Sequence, residues 1–262
     1  MQNDPYNNNE DRIVGNRDQQ TGGPKIRVNS EHDSELSKYF GLVYMIMFAG
    51  VAITTFISWL LAYPLRETFV DFLYKGGTFA ILLVTFAPLV LVFVMGHNAR
   101  KDASKTVNLA IFFIMSACYG ITLSVTLMAS NVGSIVNALG VTAIIFLLMS
   151  IVGRNTKNDL QRGRRTAMII LIGVIAISII NIFLRSTMME WIIDYAILGI
   201  FTWLIASDQQ NIKTTYYQLQ DSGASSTTMS NYATWSALDL YLDVLNIFMV
   251  LIEIFGGGNS RN

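Results

Sequence analysis

The sequence predicts an all-α, polytopic membrane protein built as a bundle of seven transmembrane helices. Three observations predict it. The chain is 52% hydrophobic and only 14% charged, against about 25% charged in a soluble domain. The charges gather in the N-terminal segment and in short connectors. Between the connectors lie long uncharged stretches, and a helix needs ~20 apolar residues to cross ~30 Å of hydrocarbon. Lys plus Arg (18) balance Asp plus Glu (18), so net charge gives no reason to expect a nucleic-acid partner.

Residues 1–37 are polar and rich in Asn, Asp, Gln and Gly, and they predict a disordered tail. They contain no apolar core ahead of a cleavage site, so a secretory signal is not expected. A transmembrane domain is expected over 38–256 and a short tail over 257–262. The apolar runs cover about 39–63, 76–96, 107–129, 133–153, 166–184, 191–206 and 237–255. The first five are long enough to span a bilayer. The sixth is short unless Ser207 and Asp208 lie within the membrane, and the seventh carries Asp239, Asp243 and Glu253. Both are therefore expected to face the bundle interior. Pro88 predicts a kink in the second helix. Small residues between Met115 and Ser124 predict close packing of the third. Cys118, the single cysteine, can form no intramolecular disulfide and reads as a small buried apolar residue.

Basic residues set an orientation. With the N-terminus in the cytoplasm, the tail (Arg12, Arg17, Lys25, Arg27, Lys38), the connector Arg100, Lys101 and Lys105, the connector Arg154 to Arg165, and Lys213 place fourteen of the eighteen basic residues inside. Only Arg66, Lys75, Arg185 and Arg261 fall outside. The connector from Gly153 to Arg165 is the densest positive patch, and its expected role is topology plus contact with anionic headgroups of the bilayer. The segment 214–236 is Ser/Thr/Gln-rich and is expected to be a mobile loop.

The candidate functional residues are Asp208 and Asp243. A carboxylate at bilayer depth costs kilocalories unless it is protonated, paired or wet. Asp208 ends the sixth run and Asp243 lies about two turns into the seventh, so both fall near the cytoplasmic mouth on consecutive helices. Asn246 follows Asp243 and Asp239 precedes it by four, which makes a polar stripe along one helix face. Asp239, nearer the helix end, is expected to be solvated, and Glu253 to reach the opposite interface. Read alone, Asp208 fits an interfacial carboxylate equally well, and Asp243 fits an interhelical hydrogen-bond clamp. Two close carboxylates cannot both ionise easily, so the pair titrates as a unit. Sharing a proton, they hold two helices together; both charged, they repel. No metal centre is expected, because the only histidines are His32 in the tail and His97 at a membrane edge. No nucleophile elbow, P-loop or dinucleotide fingerprint occurs, and neither an enzymatic activity nor a tightly bound cofactor is expected.

Four ordered strings carry a resemblance. Ala237-Leu238-Asp239-Leu240-Tyr241-Leu242-Asp243-Val244-Leu245-Asn246-Ile247-Phe248 is similar to an A-L-x-L-Y-L-D-x-x-N-x-F signature. Asp208-Gln209-Gln210-Asn211-Ile212-Lys213 resembles a D-T-Q-x-I-K ending of a sixth helix. Thr156-Lys157-Asn158-Asp159-Leu160 resembles a T-K-x-D-L connector, and Met115 to Ser124 a small-residue third helix. Together they resemble the Bax inhibitor-1 family, over about residues 39–256. The resemblance implies a seven-helix, pH-sensitive leak for calcium ions, with the aspartates matching Asp208 and Asp243 as a proton-sensing pair. It also implies suppression of cell death in eukaryotic relatives, and restraint of a membrane protease in some bacterial ones. A glutamate and an arginine near the second helix support the pair in a bacterial member. Here the second run is uncharged, Arg100 is the nearest stand-in, and Glu253 occupies a position where arginine is common.

The resulting expectation is a pH-gated cation leak, with Ca²⁺ as permeant ion, in a bacterial inner membrane. The alternative is a non-transporting regulator that binds a membrane-protein partner. An intramembrane aspartyl protease is disfavoured, because Tyr241-Leu242-Asp243 lacks the glycines of the G-x-G-D motif such enzymes carry.

Overall fold

The computed structural model describes residues 30–99, 104–156 and 158–257. Arg100, Lys101, Lys157, the tail through residue 29 and the last five residues lie outside them, so the part expected of Arg100 falls outside the described structure. The chain divides into two compact units, Met1–Ser37 and Lys38–Asn262. Among the described residues, the first contributes the opening turns of a helix.

Each apolar run becomes a helix, and the described residues hold seven in order: α1 (Ser30–Ala62), α2 (Arg66–Ala99), α3 (Lys105–Ala129), α4 (Val132–Asn155), α5 (Gln161–Leu184), α6 (Thr187–Asp221) and α7 (Ser226–Gly257). No strand occurs among the described residues. Local chemistry sets the ends. Asn131 caps α4 by accepting the Ser134 N–H at 2.8 Å. Arg185 ends α5 in the left-handed region at φ 50, with its N–H donating to the Asn181 carbonyl at 2.7 Å. Ser186 then caps α6 through the Met189 N–H at 3.4 Å. Large apolar side chains such as Phe79, Phe93, Ile172 and Phe183 point outward, which suits a lipid-facing surface.

Among the described residues, six helices are long and apolar enough to cross a membrane; α7 is not one of them. The bundle instead encloses it. On α7, Ala233, Ala237, Leu238, Leu240, Tyr241, Asp243, Ile247 and Leu251 are all buried, against α6, α4, α3 and α2. The helix therefore keeps Asp243 from lipid, while Glu253 near its far end is exposed.

Four expectations need correction. The sixth helix is not short: α6 runs 35 residues, roughly 53 Å at 1.5 Å per residue, so it continues well past the hydrocarbon. The segment 214–236 is not a loop. It is helix on both sides of a turn at Ser222–Ser225, where Gly223 takes φ 65, because the polar residues there are good enough helix formers once two helices pack together. The break in α2 falls at Gly77, with φ 54 and ψ −145, and not at Pro88. Proline leaves the carbonyl four residues earlier without its donor, and that carbonyl, Val84 O, accepts instead from Thr122 Oγ1 at 2.8 Å. Cys118 is half-buried and not fully enclosed.

Close approach of backbones sets the floor beneath the acidic residues. A Cβ added at Gly153 would overlap the Ala206 carbonyl and crowd Gln209 Cβ, so α4 and α6 meet backbone to backbone there. Gly153→Ala is expected to force them apart at a cost of about 1–3 kcal/mol. A thermal melt of the solubilised protein checks this; an unchanged midpoint would show that the contact is not tight.

Candidate functional site

Leu204, Ile205, Ala206, Ser207, Asp208 and Gln209 are all buried. Six consecutive residues cover every face of a helix, so α6 is surrounded at this level and Asp208 has no lipid or water side. Asp208 is 3% exposed and Asp243 on α7 is 4% exposed. Their carboxyls lie close enough for a side-chain hydrogen bond. A carboxylate can only accept, so that bond exists only when one of the two holds a proton.

The cation of the site is Arg164, in the first turn of α5. Its Nη1 lies 2.8 Å from Asp208 Oδ1, and its Nη2 donates to Asp239 Oδ2 at 3.1 Å. The first contact is an ion pair without hydrogen-bond alignment, since Asp208 Oδ1 has no hydrogen-bond partner, and neither has Asp243 Oδ2. One guanidinium thus bridges α6 and α7, and three carboxylates converge on it. Asp239, expected to be solvated, is in fact ion-paired, because α5 brings Arg164 over it. Asn246 turns to its own helix, donating to the Leu242 carbonyl at 2.8 Å.

Arg164 was not singled out by the sequence, which marks the whole connector as a lipid-facing basic patch. One signal could have separated it. Basic residues in a first helical turn oppose the macrodipole, so one that is retained there calls for a nearby carboxylate. Its neighbour Arg165 is exposed.

The α4–α5 connector is what aims Arg164. Gln210 on α6 accepts the Leu160 N–H at 2.8 Å and donates to the Asn158 carbonyl at 2.8 Å. Gln161 Nε2 returns to the Ser207 carbonyl at 3.1 Å. Gln209 is fully buried, donating to Ser150 Oγ at 2.9 Å and accepting from Tyr44 OH at 2.7 Å. The Asp208-Gln209-Gln210 string therefore ties α1, α4 and α5 to α6 around the acidic pair.

Tyr241, two residues before Asp243 on α7, is fully buried. Its hydroxyl is 2.7 Å from Thr54 Oγ1, which itself donates to the Ser116 carbonyl at 2.9 Å. Phe112 and Tyr119 pack edge-on against its ring. Tyr241→Phe is expected to cost about 1 kcal/mol, read as a lower melting midpoint; no change would show that the hydroxyl bond is dispensable. A cavity of about 250 Å³ lies between α1, α3, α4 and α7, lined mostly by apolar side chains such as Trp59, Leu139, Val244 and Phe248, with Thr54, Ser58 and Thr142 among them. Thr142 Oγ1 is buried there without a hydrogen-bond partner.

An apolar helical bundle that encloses three carboxylates and one guanidinium is a polytopic membrane protein with an ionisable core. Residues 36–261 match the family described as inhibitor of apoptosis-promoting Bax1. The chain belongs to the Bax inhibitor-1 family. It is 36% identical over 235 residues to an uncharacterized membrane protein of Streptococcus pyogenes serotype M1, covering 87% of this chain and 96% of that one. It is 33% identical over 221 residues to the inner membrane protein YbhL of Escherichia coli, covering 84% and 92%. A protein of Caulobacter vibrioides is 30% identical over 242 residues, covering 90% and 95%.

Proposed function

We propose that this membrane protein is a cation leak, with Ca²⁺ as permeant ion, closed by a proton shared between Asp208 and Asp243. The observation that carries the proposal is the pair of adjacent buried carboxyls on α6 and α7 with Arg164 beside it. While the proton is in place, the pair and the guanidinium hold α5, α6 and α7 together. When it leaves, two adjacent buried negative charges face a single cation that Asp239 already shares, and the helices repel. Proposed with this is a bacterial inner-membrane location with the N-terminus in the cytoplasm. The basic residues favour that side, and one relative is named an inner membrane protein.

The test is Ca²⁺ flux into proteoliposomes measured across pH, for the native chain and for Asp208→Asn and Asp243→Asn. A pH-dependent flux in the native chain that both variants abolish supports the leak. If both variants keep the native flux and profile, the pair is not the sensor. If the native chain carries no flux at any pH, the alternative of a non-transporting regulator stands.

A further inference from the structure

The cavity between α1, α3, α4 and α7 has an unspent hydrogen-bond donor on its wall. Thr142, on α4, is 5% exposed, and among the described residues its Oγ1 has no hydrogen-bond partner. Ser116, Ser178 and Thr234 each turn back to the carbonyl four residues earlier on their own helix. Thr142 does not do the same with Ala138. A buried hydroxyl left unpaired is costly, and a ligand that brings an acceptor recovers that cost.

The rest of the wall decides the class of ligand. None of the described residues lining the cavity carries a charge, so an ion has nothing there to offset its desolvation. Thr54 and Ser58 already give their protons to the Ser116 and Thr55 carbonyls, at 2.9 and 3.0 Å. Most of the remaining wall is hydrocarbon and aromatic, and an apolar cavity of about 150 Å³ is enough to hold benzene. At about 250 Å³ this one has room for a larger body. Trp59, Tyr63 and Leu139 line the cavity and are themselves exposed, so a guest dissolved in the bilayer reaches it from the side.

We propose that this cavity binds a neutral, membrane-soluble molecule with an apolar body and one carbonyl or hydroxyl oxygen, which accepts from Thr142. Neither aspartate of the acidic pair nor Arg164 lines the cavity, so the site stands apart from the leak reading.

The test uses the full chain in nanodiscs, photolabelled with an octanol that carries a diazirine, with the labelled residues mapped by mass spectrometry. Methyl hexyl ketone and octane are compared as competitors at matched concentrations in the bilayer. They have the same number of carbons, and only the ketone accepts a hydrogen bond. Expected are label on residues of the cavity wall, displacement by the ketone roughly fivefold more effective than by octane, and loss of that preference in Thr142→Val. The same substitution removes an unpaired buried hydroxyl and keeps the shape of the side chain, so without probe its melting midpoint should rise. Ile135→Trp, which fills the cavity from a half-buried position on its wall, should abolish the displaceable label. Octane that competes as well as the ketone shows a space that takes any chain, a lipid tail included, and overturns the proposal. So does label that avoids the cavity or persists in Ile135→Trp, and so does a Thr142→Val variant that keeps the ketone preference or melts no higher than the native chain.

Discussion

Arg164→Met is expected to lower the stability of the folded bundle by about 3 kcal/mol, more than any other single substitution at the site. Removing one partner of a buried ion pair leaves the other charge unmatched, and that costs more than the pair contributed. Here the loss is compounded, because Arg164 serves both Asp208 and Asp239. A thermal melt in detergent measures it, with Arg165→Met as the control; Arg165 is exposed and its loss should stay within about 0.5 kcal/mol. Adding Asp239→Asn to Arg164→Met removes one unmatched carboxylate, so the double variant should recover part of the loss. If Arg164→Met and Arg165→Met melt alike, the guanidinium is not holding the helices together. The leak should respond as well, since Arg164 helps to tie α5 to α6 and α7: flux in Arg164→Met is expected to rise wherever the variant stays folded.

The second large effect concerns pH. Asp243→Asn keeps the size and the hydrogen-bonding reach of the side chain but removes a charge. Its amide N–H donates to Asp208 at every pH, so the pair stays bonded without a titrating proton. Flux in the native chain is expected to rise as pH rises and the shared proton is lost. In Asp243→Asn it should stay near the proton-bound level across the whole range, and in Asp208→Asn likewise. The measurement is Ca²⁺ entry into proteoliposomes at stepped pH. A variant that keeps the native slope, or a native flux that falls as pH rises, would sink the mechanism.

These predictions concern residues that were unequally legible. Asp208 and Asp243 stand out in the sequence because a charge in an apolar run is expensive wherever that run ends up. The small residues of α3 likewise announce close packing, and Gly120 lies against Ile57 and the Thr54 carbonyl of α1. The extension of α6 and α7 through 214–236 was hidden, since Ser, Thr and Gln read as loop until a partner helix stabilises them.

By itself the sequence determined the class of protein, the number of helices and the two aspartates, because hydrophobic run length and the cost of a buried charge are properties of short stretches of chain. Only the tertiary structure decided what those aspartates meet. Arg164 and Asp239 are 75 residues apart, and their pairing follows from how α5 lies across α6 and α7. Partnership over that distance depends on helix packing, which no local pattern encodes.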